Sequence, residues 1–159
     1  MNLFGYTGSF TVYAAAGGAA ATTTVDKSAT YIDWARENLE LNGFMGPEHV
    51  LIRSDIRSFV GGLTPRDEWD LVVVDPPTFS NTKGADEFWD TQRDHAELLR
   101  RLARHVSPGG VVFFSTNFRR FKLDEPALGD YTIRDITRQT IPEDFRNERI
   151  HKCWRLVRR

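Results

Sequence analysis

Three aspartates stand at or just after the ends of short segments that are rich in apolar and β-branched residues. They are Asp26, Asp55 and Asp75. Short runs of this kind, bounded by turn residues, predict strands. The carboxyl ends of parallel strands meet at one edge of a sheet, and ligands bind at that edge. We therefore expect a rim of three carboxylates, which suits a ligand with a cationic centre and a nucleoside and suits a pyrophosphate poorly.

The segment that follows the third strand carries the most specific signal. Two prolines come directly after Asp75, so the strand must end there. Backbone carbonyls around Pro76 and Pro77 can accept hydrogen bonds from the amino group of a base, and Phe79 can stack on a flipped base. Asp75, Pro76, Pro77 and Phe79 are therefore candidate catalytic residues, and Phe79 is also a candidate substrate contact. The alternative is a strand-ending turn without chemistry.

Asp26 and Asp55 each allow two interpretations. Asp26 can accept hydrogen bonds from both hydroxyls of a ribose, or it can be an acid that the dipole of the next helix favours. A carboxylate or backbone group at Asp55 can accept from an adenine amino group, or Asp55 can cap a helix. For Asp55 both roles can hold together.

A glycine turn, Gly5-Tyr-Thr-Gly8, lies between the first predicted strand and helix. Small residues there let the backbone approach a ligand closely, although an ordinary tight turn has the same pattern. The turn lacks the G-x-G-x-x-G pattern of dinucleotide-binding proteins, which disfavours a nicotinamide dehydrogenase. Turn and carboxylate rim together point to S-adenosylmethionine, whose sulfonium is positive and whose ribose is free.

Basic and aromatic residues alternate after the fifth predicted strand. Arg119, Arg120 and Lys122 are interleaved with Phe118 and Phe121. Such a mixture at the edge of a sheet can hold phosphates and stack bases. The three cations are therefore candidate substrate contacts, and a solvated surface loop is the alternative.

The elements that must position these residues alternate between strand and helix as far as residue 116. This order predicts an α/β fold with a mostly parallel sheet and helices on both faces. The last two strands form an antiparallel pair. His95 is expected to be a core residue on a helix. The predicted strands span 3–4, 20–25, 49–53, 68–75, 111–116, 131–140 and 150–157. The main helices span 9–16, 28–41 and 86–106, and Ser28 is the candidate cap of the second.

Composition limits the class of protein. With 159 residues, 40% hydrophobic and 27% charged, the chain is expected to form one globular domain over residues 1–159. A net charge of −1 disfavours nucleic-acid binding by the surface as a whole but leaves open a local basic patch. The single Cys153 favours a reducing compartment, the cytoplasm. We expect no metal and no membrane contact. The short first strand suggests a piece of a longer protein.

Several segments carry a family resemblance: NLFGYTGSFTVYAAAGGA, VDKS, WARENLELNG, DPPTFSN, QRDH, PGG, FFSTNFRRFK and TIPEDF. Together they resemble the class I S-adenosylmethionine-dependent RNA methyltransferases. More narrowly, they are similar to the C-terminal half of the bifunctional bacterial 23S rRNA guanine methyltransferases. The resemblance spans nearly the whole chain. It implies a Rossmann-like sheet of seven strands whose C-terminal strand is antiparallel, a 23S rRNA substrate and a companion N-terminal methyltransferase half.

The resemblance also implies roles for individual residues. Four of the turn would hold the methionine end of the cofactor, Asp26 would hold the ribose, Asp55 the adenine, and the Asp75 segment the target base. The cofactor-binding residues are then Tyr6, Thr7, Gly8, Ser9, Asp26, Lys27, Asp55, Ile56 and Asp75.

The atom that receives the methyl group is the remaining question. The resemblance implies guanine N7, which has a free lone pair and needs only alignment and a water-poor site. Cytosine C5 needs a covalent thiol adduct, and no cysteine stands near Asp75 or Thr116 in the sequence. Guanine N2, cytosine C5, and a truncated non-catalytic module that binds RNA or a partner stay open as alternatives.

Overall fold

Nine strands and four helices follow one another in a computed structural model, which describes residues 1–80, 89–144 and 151–159. The strands are β1 Asn2–Leu3, β2 Thr22–Asp26, β3 His49–Arg53, β4 Trp69–Val74, β5 Phe79–Ser80, β6 Trp89–Asp90, β7 Val106–Thr116, β8 Tyr131–Asp135 and β9 Lys152–Arg158. The helices are α1 Ser9–Ala16, α2 Ala29–Leu41, α3 Ile56–Gly61 and α4 Thr91–Leu102.

Seven of the strands form one mixed sheet in the order β3-β2-β1-β4-β7-β9-β8. The pairs from β3 to β7 are parallel. β9 runs antiparallel to both of its neighbours, β7 and β8. The predicted Rossmann-like sheet with an antiparallel C-terminal strand is therefore confirmed.

The main hydrophobic core lies between the sheet and the helices α3 and α4. Alternate residues of the central strands point into it, including Val72, Val74, Val112 and Phe114, which are fully buried. Leu99 on α4 is also fully buried and belongs to the same cluster. Burying β-branched and aromatic side chains in this way stabilises the central strands.

His95 is part of this core, as predicted. Its Nδ1 lies 2.9 Å from the carbonyl oxygen of Thr91, and its Nε2 accepts from the backbone N–H of Asp124 at 3.1 Å. Burial lowers the pKa of His95, so the neutral ring with the proton on Nδ1 satisfies both contacts. This histidine ties α4 to the segment that follows β7.

The helix predicted over residues 86–106 is wrong at both ends. α4 begins at Thr91, because the Asp90 side chain caps it by accepting from the N–H of Arg93 at 3.1 Å. After α4 a single 3-10 turn leads into β7 at Val106. The Ser-Pro-Gly-Gly sequence at 107–110 therefore lies inside a strand, where a bulge interrupts its register with β4.

Two more local predictions are corrected. Ser80 was expected to begin a polar loop, but the short strand β5 pairs antiparallel with β6, and residues 81–85 of that loop lie outside the described residues. The strand predicted over 131–140 ends at Asp135, and a 3-10 turn follows at Thr137–Gln139.

Candidate functional site

A strained turn connects β1 to α1. Phe4 and Tyr6 have positive φ angles of 57° and 47°, although neither is glycine. Gly8 has a φ of 74°, and a Cβ atom there would lie 2.8 Å from the Cβ of Ala35 on α2. Non-glycine residues with positive φ cost free energy and cluster at ligand sites. The turn thus brings its backbone close to α2 in a shape that few other residues allow.

Asp26 at the end of β2 holds this turn in place. Its Oδ2 accepts from the backbone N–H of Tyr6 at 3.0 Å, and its Oδ1 accepts from the N–H of Ser28 at 2.8 Å. Each oxygen keeps a second lone pair that can accept from a ligand hydroxyl. Asp26 therefore joins the turn, the start of α2 and the wall of the cleft described below.

Asp55 caps α3, as one of its two interpretations predicted. Its Oδ1 accepts from the N–H groups of Arg57 and Ser58 at 3.0 and 3.1 Å. Ile56, the first residue of α3, is buried with only 4% of its surface exposed. The same carboxylate also lines the cleft, so capping and ligand contact are compatible here.

Asp75 follows β4 and is tied to the neighbouring strand. The Ser115 hydroxyl of β7 donates to Asp75 Oδ1 at 2.6 Å. The Pro77 carbonyl accepts from the Thr91 hydroxyl at 2.8 Å, and that hydroxyl accepts from Trp89 Nε1 at 2.7 Å. The two prolines are therefore anchored to the first turn of α4.

A cleft of about 760 Å³ opens at the carboxyl edge of the parallel strands β1, β2, β3 and β4. This volume lies within the range of small-molecule sites. The sequence-predicted residues that line it are Tyr6, Asp26, Lys27, Asp55, Ile56, Asp75, Pro76 and Pro77. The carboxylates of three strand ends thus converge on one cleft.

Sequence reasoning missed other parts of the wall. Arg53 and Arg57 contribute positive charge beside the carboxylates, and Arg57 lies 6.0 Å from the centre of the Trp89 ring. The rim is therefore mixed in charge and not purely anionic. Asn117 was detectable from its position directly after β7, whereas Trp89 and His151 had no local signal. Further wall residues are Phe4, Ser28, Ala29 and Tyr31.

The remaining candidates lie elsewhere. Thr7, Gly8 and Ser9 belong to the turn and the start of α1 but do not line the cleft. Phe79 is 55% exposed, and its ring centre lies 6.1 Å from that of Phe118. Of the three basic candidates, Arg120 and Lys122 line neither this cleft nor the cavity next to it. Arg119 lines a second cavity next to the cleft.

Cys153 is closer to Asp75 than the sequence suggested. It lies opposite Ser115 in the β7–β9 pairing, and Ser115 bonds to Asp75. The expectation that no cysteine stands near Asp75 is therefore wrong, because antiparallel pairing brings β9 beside β7. Cys153 is nevertheless only 6% exposed, and burial raises its pKa to about 11. A protonated, buried thiol is a poor nucleophile.

The described part of the chain contains neither a cluster of metal ligands nor a membrane-spanning helix. No group of three or more His, Cys, Asp or Glu side chains in residues 1–80, 89–144 and 151–159 could hold a metal ion. Within the same ranges, no helix has the length and apolar character to cross a membrane.

The strand order and the cleft at the carboxyl edge define a Rossmann-like methyltransferase fold. Comparison with known proteins agrees. The chain belongs to the S-adenosylmethionine-dependent methyltransferase family, whose sequence model matches residues 1–154. The predicted family and its cofactor are therefore confirmed.

Curated relatives match almost all of the chain. Ribosomal RNA large subunit methyltransferase K/L of Desulfotalea psychrophila is 51% identical over 97% of this chain and 21% of the relative. Ribosomal RNA large subunit methyltransferase K of Neisseria meningitidis is 46% identical over 98% of this chain and 44% of the relative. The chain thus spans less than half the length of these relatives.

Solved structures share the fold. SMU.776, described as a methyltransferase and crystallised with SAH, is 24% identical with a TM-score of 0.79, over 98% of this chain and 44% of that one. A SAM-dependent methyltransferase from Agrobacterium tumefaciens is 23% identical with a TM-score of 0.77, over 99% and 54%. At these identities the likeness shows the fold alone.

Proposed function

We propose that this chain transfers a methyl group from S-adenosylmethionine to N7 of a guanine in 23S rRNA. The observation that supports it most is the cleft in which Asp26, Asp55 and Asp75 converge beside Pro76 and Pro77. The relatives support the RNA substrate, because their names describe ribosomal RNA large subunit methyltransferases.

The residues of the cleft fit the cofactor. S-adenosylmethionine supplies an electrophilic methyl group on a positively charged sulfur. Asp26 would bind the ribose hydroxyls with the lone pairs that Tyr6 and Ser28 leave open, and Asp55 would contact the adenine. The turn around Gly8 would hold the methionine end. Asp75 would lie between the cofactor and the base.

The target atom is argued from what the site must do. Guanine N7 carries a lone pair in the plane of the ring, so the chain needs to align the base and exclude water but does not need to remove a proton. The Thr91 contact anchors Pro77, and the fixed φ angles of the two prolines restrict the backbone around it, which suits alignment. Phe79 would stack on the base from the exposed side.

The names of the matching relatives and the position of Cys153 help to choose among guanine N7, guanine N2 and cytosine C5 as the methylated atom. A relative named K alone matches 98% of this chain, which supports assigning the chain to the K part of the K/L relatives. Cytosine C5 is disfavoured because the nearby Cys153 is buried with a raised pKa. Guanine N2 stays an alternative, since Asp75 could accept a proton from the amino group.

We also propose that the chain is one domain of a longer cytoplasmic protein with a companion methyltransferase half. The support is the length comparison, since the chain spans 21% of one relative and 44% of another.

Product analysis tests the proposed activity. The chain is incubated with 23S rRNA transcripts and S-adenosylmethionine carrying a labelled methyl group, and the digested nucleosides are separated. We expect N7-methylguanosine, and we expect Asp75→Asn to reduce its rate by at least tenfold. Asp33→Asn on the outer face of α2 is the matched control and should have no effect.

Each contrary outcome has a meaning. N2-methylguanosine or C5-methylcytidine contradicts the N7 assignment and leaves a methyltransferase. A chain that binds S-adenosylmethionine and RNA but forms no product supports the non-catalytic alternative.

A further inference from the structure

A second cavity, of about 780 Å³, lies beside the cofactor cleft. Its walls come from Arg119 after β7, from residues 135–139 after β8, and from residues 151, 152 and 154 at the start of β9. All three segments lie at the carboxyl edge of the sheet, because β9 runs antiparallel to β7 and β8. None of the roles proposed above uses this cavity as a site.

The cavity carries two arginines without an acidic partner. Arg119 and Arg138 are exposed, and neither guanidinium forms a hydrogen bond or ion pair with another group of the described residues. The cavity also contains Lys152 and one carboxylate, that of Asp135, and each of them forms a hydrogen bond with the backbone. Lys152 Nζ donates to the Phe121 carbonyl at 2.6 Å, and Asp135 Oδ1 accepts from the Thr137 N–H at 2.8 Å.

The two cavities adjoin each other. His151 lines both of them. Asn117 lines the first and Arg119 lines the second, and two residues along a chain can be no more than about 7 Å apart at their Cα atoms. An RNA strand with one base in the cleft would therefore pass the second cavity about one nucleotide away from that base.

The chemistry of the second cavity favours a phosphate over a base. Guanidinium groups present planar donor pairs that match phosphate oxygens. Trp154, the aromatic residue in its wall, is only 6% exposed, so its ring is not available for stacking. The second cavity has three cationic side chains against one carboxylate, that of Asp135. The cofactor cleft has three carboxylates and several aromatic rings together with its own cations.

We propose that this cavity binds the backbone phosphate of a nucleotide adjacent to the target guanosine, with Arg119 and Arg138 as its ligands. The proposal rests on the proposed RNA methyltransferase function and adds to it a binding site for the strand. Arg138 comes from the turn after β8, which no sequence motif singled out. Of the three basic residues after β7, the proposal therefore gives a role in RNA binding only to Arg119, because Arg120 and Lys122 line neither cavity.

RNA binding tests the proposal in the full chain. A single-stranded RNA with one guanosine is titrated by fluorescence anisotropy in the presence of S-adenosylhomocysteine, at several salt concentrations. We expect the double variant Arg119→Gln, Arg138→Gln to weaken binding by about 10- to 100-fold at low salt. The slope of log affinity against log salt should fall in magnitude by about 0.7, since the neutralisation of one phosphate on a single strand contributes about that much.

A matched control removes the same charge elsewhere. Arg66 and Arg104 are exposed and lie just before β4 and β7, at the opposite edge of the sheet. The double variant Arg66→Gln, Arg104→Gln should bind RNA within about twofold of the wild type. An equal loss in both double variants would mean general charge attraction and would overturn the phosphate site.

Neutral phosphate analogues make the test specific. Methylphosphonate replaces one phosphate at a time on either side of the guanosine. At one position the wild type should lose about tenfold in affinity, while the Arg119, Arg138 variant should lose nothing further. Losses that add in full at every position would overturn the assignment of these two arginines.

The experiments distinguish a failure of the proposed RNA methyltransferase function from a failure of the phosphate site alone. A wild-type chain that binds S-adenosylhomocysteine but no RNA contradicts both the phosphate site and the RNA substrate. A chain that binds RNA and forms N7-methylguanosine, but responds equally to both double variants, contradicts the phosphate site alone.

Discussion

The single residue Asp26 combines two roles, since it accepts a hydrogen bond from the β1–α1 turn and lines the cleft. Asp26→Asn replaces one accepting oxygen by an amide that cannot accept from the backbone. We expect the affinity for S-adenosylmethionine to fall by at least tenfold, because hydrogen bonds to a charged group are each worth about 1.5–3 kcal/mol. Calorimetric titration with S-adenosylmethionine and S-adenosylhomocysteine measures this change.

The control for Asp26 is an aspartate on the following helix, α2. Asp33 is exposed on α2 and pairs with Arg36 at 2.7 Å, so Asp33→Asn should leave cofactor affinity unchanged. Equal affinities for Asp26→Asn and the wild type would remove the ribose assignment and leave Asp26 as a structural residue.

A substitution of Cys153 distinguishes methyl transfer to guanine N7 from transfer to cytosine C5, which needs a covalent thiol adduct. Its thiol is buried and its pKa is raised to about 11, so it is protonated at neutral pH. We expect Cys153→Ala to keep methyl transfer within about threefold of the wild type, at a cost of about 1 kcal/mol in stability. The rate of product formation measures the first and urea unfolding the second. Complete loss of activity in a folded variant would favour C5 chemistry with a covalent adduct.

The β1–α1 turn and α2 form one unit at the scale of elements. Gly8→Ala combines a left-handed backbone with a contact of 2.8 Å to Ala35. We expect it to reduce the free energy of unfolding by about 2–4 kcal/mol and to weaken cofactor binding, because the turn must move. Urea unfolding and calorimetry measure the two effects.

Gly43 supplies a matched control for Gly8. It also has a positive φ, 79°, but a Cβ there meets nothing within 4 Å. Gly43→Ala should therefore cost only the backbone strain, about 1–2 kcal/mol, and leave cofactor binding intact. Similar costs at the two glycines would show that the approach to Ala35 does not matter.

The elements whose sequence signals are local were predicted well. α1 and β3 have the predicted bounds, and Ser28 caps α2 by accepting from the Tyr31 N–H at 3.3 Å. The boundary between α4 and β7 was missed because Pro108 and the glycines beside it usually end helices. Pairing with β4 makes that segment part of a strand, and no single segment carries this information.

The candidate site could also be predicted only where its residues carry a local signal. Asp26, Asp55 and Asp75 could be found because each stands at or just after the end of a strand. Arg138 and His151 could not, since they reach their cavities only through the pairing of β9 with β7 and β8. Cys153 was misjudged for the same reason.

Buried His95 couples the stability of the whole molecule to pH. Burial lowers the pKa of its imidazole in the folded chain, whereas in the unfolded chain that pKa is about 6.5. The unfolded chain therefore binds more protons once the pH falls below about 6.5, so the free energy of unfolding decreases there. Urea unfolding at several pH values measures this decrease, and His95→Gln, which has no titrating group, should reduce it.

The placement of β9 between β7 and β8 has a consequence for synthesis on the ribosome. β8 leaves the exit tunnel before β9, yet in the sheet it borders β9 and not β7. Until the later strand arrives, β8 and the outer side of β7 present unpaired backbone groups, which are sites of aggregation. The wall of the second cavity closes only at that moment, so a nascent chain acquires its cofactor cleft in large part before its phosphate site.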